Sequence, residues 1–445
     1  GLPPLPSLDS SEPDASGIPV VVVSGDDQGS DLAVAPIECD PSDPELCSFA
    51  DGLQEELTSS FAQFAYLQVR EPDAVTGVAT EALGVVQAWS AAGIRYLLTG
   101  RLHRVGDTLR LSVRLLDTMA GRRLWSSNYD SSLSGFNLLE LQDHLSDRVV
   151  STVADSGGVL VRSIADRLRS KALEDHSPID WVMRTFAYWN QLREAEHADL
   201  REGLEAAVER DPHHSAIWAC LAQTYLDEYR AGFNPRNGSL DRALEAALKA
   251  VELDPRDSLA QESLADVHFF RRDLTAFQLA AERALAINPR DATTTASMGT
   301  WLALSGELQR GFDLTVRAME MNPDHAGWYQ IAIFFYYFDR DEFERALAAS
   351  KSMNMPDFFW SHLMTAAAAG KLGLETDARA AVHRLEALFE EPDRESRHEA
   401  EKFIVPEDLQ AKFLDGLQKA GLDLSSAGTT AGAEVVPDHD RQRSL

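Results

Sequence analysis

Apolar positions along this chain obey two different periods, one on each side of Pro178. Before it the periods mix. Asp31 to Glu38 reads as a short apolar strand, Phe49, Leu53, Leu57, Phe61 and Phe64 recur at helical spacing, and residues 64–69 (FAYLQV) read as a second strand. Thr80 to Ala92 predicts another helix. Ile94 to Val105 and Thr108 to Leu116 are β-rich runs flanking Gly106-Asp107, a hairpin signature, and Arg122 to Tyr129 follows a turn at Gly121. With a closing helix over Asn137 to Val153, these elements predict a small α/β sandwich within residues 31–175.

After Pro178 the strand signals vanish and every apolar run has a helical period. Proline recurs at Pro212, Pro255, Pro289, Pro323 and Pro356, at intervals of 43, 34, 34 and 33 residues. A helix-turn-helix period of 34 with Pro just beyond the second helix is the tetratricopeptide pattern, in which each helical hairpin buries its face only by stacking on its neighbours. The endings AAVERDP, KAVELDP, RALAINP and RAMEMNP keep the same phase, each with a small residue five positions before the Pro (Ala207, Ala250, Ala284, Ala318). The interval of 43 holds a loop-like insertion, Ala231 to Ser239. A further helical pair from Phe358 to Phe389 ends in a degraded motif and reads as a cap. Residues 1–30, rich in Pro, Ser, Gly and Asp, read as a linker, 176–424 as a superhelix of about five to six repeats, and 425–445 as a disordered tail.

The 445 residues are 44% hydrophobic and 25% charged, enough to build real cores. A net charge of -30, from 71 acids against 41 bases, opposes binding to nucleic acid through a general positive field. The longest strongly apolar run, Ile331 to Phe338, is eight residues, far short of the roughly 20 that span a bilayer. The chain opens Gly-Leu-Pro-Pro without an initiator Met, and so reads as a piece of something longer.

Two segments carry a family resemblance. Residues 33–52 (AVAPIECDPSDPELCSFADG) and 93–130 (GIRYLLTGRLHRVGDTLRLSVRLLDTMAGRRLWSSNYD) resemble the TolB amino-terminal-like α/β module that precedes tetratricopeptide repeats in bacterial winged-helix transcription regulators and class III adenylate cyclase-like proteins. Asp43-Pro44-Glu45, Phe49 to Gly52, Arg95-Tyr96, Asp117, Gly121, Trp125 and Tyr129 stand at matching positions. The resemblance implies a sensory or protein-binding role, with the family's catalytic or DNA-binding domain lying amino-terminal to this pair. Cys39 and Cys47 depart from the family, which more often has polar residues there.

Candidate sites follow from these patterns. In repeat phase, Leu259, Glu262, Asp266, Phe269 and Phe270 of one inner helix, and Gln330, Phe334, Tyr337 and Phe338 two repeats later, face the concave groove. Aromatics there suit a peptide, protein or small ligand, although packing between helices explains any single one of them. The hairpin carries seven arginines (Arg95, Arg101, Arg104, Arg110, Arg114, Arg122, Arg123) against Asp107 and Asp117. Alternation turns Leu109, Leu111, Val113 and Leu115 inward and Arg110 outward, with Arg101 and His103 across from it, as an anion or acidic-partner patch or as a solvated face paired with nearby acids. Cys39 and Cys47, eight apart in a Pro- and Asp-rich loop, read as a disulfide, the alternative being two free thiols; Cys220 reads as buried and free. A disulfide points to an oxidising compartment such as the periplasm, with the cytoplasm as the alternative.

No metalloprotease, serine-hydrolase, P-loop or Cys-x-x-Cys motif is present in the sequence, and His213-His214 reads as an exposed turn. The expectation is an α+β chain, an α/β sandwich followed by an all-α tetratricopeptide superhelix, acting without cofactor, metal or catalysis as a sensory or protein-binding region for an amino-terminal effector. The alternatives are a structural subunit of a larger complex and the regulatory region of an adenylate cyclase-like protein.

Overall fold

The structure, a computed structural model, describes residues 31–64, 66–70, 85–132, 137–172, 175–190 and 192–424. The linker read over 1–30, the tail over 425–445 and the start of the helix read from Thr80 lie outside them. The described chain is mostly helical, with one small sheet near its amino-terminal side.

The sheet domain runs β1 (Asp31–Val34), α1 (Pro44–Phe61), β2 (Gln68–Arg70), α2 (Val85–Ala91), β3 (Tyr96–Val105), β4 (Thr108–Asp117), β5 (Arg122–Ser132), α3 (Leu138–Ala154) and α4 (Val159–Leu168). Helix α1 starts earlier than its apolar period because Pro44 occupies the first turn and the Asp43 carboxylate accepts from the Leu46 N–H at 3.1 Å. Asn137 closes a capping box with Glu140 at the start of α3. The strand order is β2-β1-β3-β4-β5, with β1 parallel to both neighbours and β3, β4 and β5 an antiparallel meander. Gly106 turns the β3-β4 hairpin at φ 61°. Leu109, Leu111, Val113 and Leu115 point inward, into the core formed with Leu53, Leu57, Leu145 and Val149 of α1 and α3. Ala88 and Trp89 of α2 cover Ala33, Ala35 and Leu97 on the other face.

Beyond α4 come helical hairpins: α5 (Pro178–Trp189) with α6 (Glu194–Arg210), α7 (Ser215–Arg230) with α8 (Ser239–Leu253), α9 (Ser258–Phe270) with α10 (Leu274–Ile287), α11 (Ala292–Ser305) with α12 (Leu308–Met321), α13 (Gln330–Asp339) with α14 (Phe343–Ser352), and α15 (Phe359–Leu372) with α16 (Glu375–Leu388). The four phased alanines Ala207, Ala250, Ala284 and Ala318 are all fully buried. Two more helices follow, α17 (Pro392–Phe403) and α18 (Glu407–Ala420).

The apolar interior does not break between sheet domain and helices. One cluster runs from Leu32 of β1 through α4 to Leu221 of α7, and a second runs from Ala222 to Leu424. Helix α4, which the periodic reading did not separate from its neighbours, supplies Leu160, Val161, Ile164 and Leu168 to this continuity.

Candidate functional site

The turn chemistry of the repeats builds the site. In Asp254-Pro-Arg-Asp257 and Asn288-Pro-Arg-Asp291 the Pro follows one helix and the last Asp caps the next. Asp257 accepts from the Leu259 N–H at 3.0 Å and Asp291 from the Thr294 N–H at 2.9 Å. Both capped helix starts face the sheet domain across a partly open cavity of about 40 Å³. Phe64, Tyr66, Phe186 and Trp189 form its aromatic wall, and Asp257, Glu262, Asp291 and Thr294 its polar wall. That volume admits a few waters at most.

Ion pairs and hydrogen bonds rivet the two parts together around this cavity. Arg290, on the turn before α11, reaches Glu56 of α1 at 2.6 Å, Asp147 of α3 at 2.7 Å and Asp143 at 3.4 Å, while remaining only 17% exposed. Ser151 of α3 donates to the Met321 carbonyl at 2.5 Å, and Asn322 donates to Asp155 at 3.3 Å. The Tyr66 ring meets Phe186 edge-on at 4.8 Å.

The carboxyls here are shifted in one direction. Burial, then Asp266 and Asp291, push Glu262 up to about 8, and burial, then Asp291, push Asp155 up to about 7. Burial raises Asp257 and Asp291 as well, and takes Asp266 to about 6 against the opposing pull of Arg230. Glu262 accepts from Thr294 Oγ1 at 2.7 Å; Asp266 accepts from Gln223 at 2.9 Å and lies 3.8 Å from Arg230.

The residues expected to share one groove therefore separate. Glu262 and Leu259 line the cavity, and Asp266 joins the buried network of α7. Phe269, Phe270 and Phe334 are interior, 0%, 4% and 0% exposed. Phe270 meets Phe403 of α17 at 5.2 Å, and Phe334, Phe335 and Phe338 surround Phe413 of α18 at 5.5 to 6.2 Å. Tyr337 is half-buried on another side, against Phe312 with the Arg345 guanidinium 4.1 Å over its ring, and Gln330 is half-buried at the start of α13. The elements that cover the aromatics, α17 and α18, were not singled out by the repeat period. Their signal was present as Leu409, Phe413 and Leu417 at helical spacing.

On the hairpin, Arg101, His103 and Arg110 are exposed, with His103 directly opposite Arg110 in register. Arg110 makes a bidentate pair with Asp130 at 2.6 and 2.7 Å, and Arg101 Nε donates to Glu38 at 2.6 Å. Arg95 pairs with Asp117 at 3.2 Å. Neighbouring acids thus answer much of the local positive charge. Cys39 and Cys47 are joined as a disulfide with Cα atoms 5.4 Å apart, and Cys220 is free and fully buried, its thiol pushed up by desolvation. Among the described residues no cluster of metal-ligating side chains occurs, and no helix is long and apolar enough to cross a membrane.

Comparison with known proteins gives weak similarities to a putative adenylate cyclase and to a transcriptional regulator. A segment of 238 residues, 53% of this chain, is 24% identical to the putative adenylate cyclase 3 of Rhizobium meliloti, and 196 residues, 43% of this chain, are 22% identical to the transcriptional regulator HilA of Salmonella typhimurium. The matches span 39% and 35% of those relatives' lengths. Among solved structures, TolB from Acinetobacter baumannii aligns over 28% of each chain at 18% identity with a TM-score of 0.21. No protein-family model matches.

Proposed function

We propose that this chain is a non-enzymatic regulatory region, a TolB amino-terminal-like α/β module carrying a tetratricopeptide superhelix, which receives a peptide, protein or small ligand on its inner helices and relays the change to an effector. Its similarity to a putative cyclase and to a transcription regulator, proteins with two different outputs, suits an input role. The observation that carries the reading is the junction: the helix starts that line the cavity are pinned to α1 and α3 through Arg290, so that displacement of the inner helices is felt by the sheet domain. The disulfide suits an exported protein.

The test is made in the full-length protein that carries this region. Arg290→Ala should change the output, whether cyclase activity or reporter transcription, at unchanged protein level. An unchanged output, together with a stable stoichiometric partner that co-purifies with wild type and variant alike, would favour the assembly-subunit reading.

A further inference from the structure

The helices α17 and α18 occupy the aromatic end of the inner helices with the geometry of a bound ligand. Leu409, Phe413, Gly416 and Leu417 fall at i, i+4, i+7 and i+8 and are all buried, the spacing by which an amphipathic helix seats in a groove. Phe413 is held by Phe334, Phe335, Phe338 and Trp360, and Phe403 by Phe270 and Trp360. A side chain added at Gly416 would stand 3.1 Å from the Ala367 carbonyl carbon, so the helix approaches α15 backbone to backbone. The rim is polar and carries both signs: Arg272 donates to the Glu401 and Lys402 carbonyls at 2.7 and 2.9 Å, where α17 ends, Lys371 pairs with Asp415, and Lys412 of α18 pairs with Asp341 at 3.0 Å.

The fit is imperfect in its polar groups. Helix α17 brings Glu399, Lys402 and Ser396 into this interior, and Glu399 Oε2, Ser396 Oγ and Trp360 Nε1 are buried there without a hydrogen-bond partner. Burial raises the Glu399 carboxyl. The unanswered oxygens of Ser396 and Glu399, the latter accepting from Lys402 only through its other oxygen, belong to α17 and weaken the docking of this occupant, whereas Trp360 Nε1 belongs to the groove wall.

We propose that α17 and α18 are a displaceable internal occupant of a helix-binding groove, and that the groove takes in trans an amphipathic helix of a partner protein bearing an aromatic anchor, a small residue three positions later and an acid between them. This rests on the reading of the inner helices as the receiving surface. The occupant itself supplies the chemistry expected of the partner, and displacement would free Arg272 and Lys371 for the partner's helix end and carboxylate.

The test uses the full chain. A fluorescein-labelled synthetic peptide of residues 392–424 is titrated against wild type, Phe413→Ala and Asp415→Lys, while hydrogen exchange follows α17, α18, α11 and α15. Asp415→Lys breaks the pairs of Asp415 with Lys371 and Lys419 while leaving the buried face of α18 intact, and guards against loss of fold in Phe413→Ala. Amides of α17 and α18 should exchange faster than those of α11 and α15, and the peptide should bind both variants at least tenfold more tightly than wild type, because apparent affinity rises with the open fraction. Exchange of α17 and α18 at the rate of α15, with peptide affinity equal for all three chains, would overturn the proposal. Dimerisation of Asp415→Lys by exchange of α17 and α18 would assign the groove to a second copy and equally overturn it. Peptide binding reports the groove alone and the output assay reports the function, so either can fail without the other.

Discussion

Glu262→Gln isolates the electrostatic character of the junction. The wild-type carboxyl is buried on α9, accepts from Thr294 and titrates near 8 rather than at its ordinary 4.5, first because of burial and then because Asp266 and Asp291 are close. A folded-state pKa raised in this way means that the native chain holds the proton after the unfolded chain has released it. Its stability contribution is complete below the unfolded pKa and is lost as pH rises through the folded one, so the window is about pH 4 to 8. At about 1.4 kcal/mol per pH unit, and with titration already under way near pH 8, the loss between pH 5 and pH 8 is on the order of 3 kcal/mol. Asp155 and Asp266, raised to about 7 and 6, act in the same sense and persist in the variant. Glutamine keeps the shape and the acceptor for Thr294 but cannot ionise. Urea unfolding at pH 5, 6.5 and 8 should then show wild type and variant within about 1 kcal/mol at pH 5, and the variant more stable by about 3 kcal/mol at pH 8. A stability difference that stays constant across the three pH values would refute the assignment of the titrating group.

Other substitutions probe the remaining contacts. Arg290→Ala leaves Glu56, Asp143 and Asp147 facing one another without their shared cation and should cost about 2–4 kcal/mol, read as a lower urea midpoint. Replacing both Cys39 and Cys47 by Ser removes a short cross-link and should lower stability by roughly 2.5 kcal/mol in the chain-entropy model; non-reducing mass spectrometry of the native protein checks that the bond is present. Gly311→Ala places a methyl 2.7 Å from Ala303 Cβ where α12 crosses α11, and a loss of about 1–3 kcal/mol, read as a lower melting temperature, is expected.

Local chemistry explains what the sequence by itself determined. Period-two alternation in β4 set which residues of the hairpin face the core, because a strand has only two faces, and Leu109, Leu111, Val113 and Leu115 are indeed inward. The recurring Pro and the phased alanines placed the helix ends, since Pro cannot continue a helix and only a small residue permits close crossing. The caps of α9 and α11 were readable as Asp-Pro-Arg-Asp and Asn-Pro-Arg-Asp turns. Tertiary structure alone decided what those residues meet. Nothing in the spacing of Phe269, Phe270 and Phe334 distinguishes an open groove from one filled by α17 and α18, because an apolar face is indifferent to whether its cover comes from another chain or from residues some 70 to 140 positions further along its own. Arg290 carries no periodic signal, and its link to α1 and α3 depends on the sheet domain folding back over helix starts some 140 to 230 residues away. The raised carboxyls follow from that same closure: Asp155, Glu262 and Asp291 are ordinary acids in sequence, and only their joint burial at the junction moves them toward neutrality.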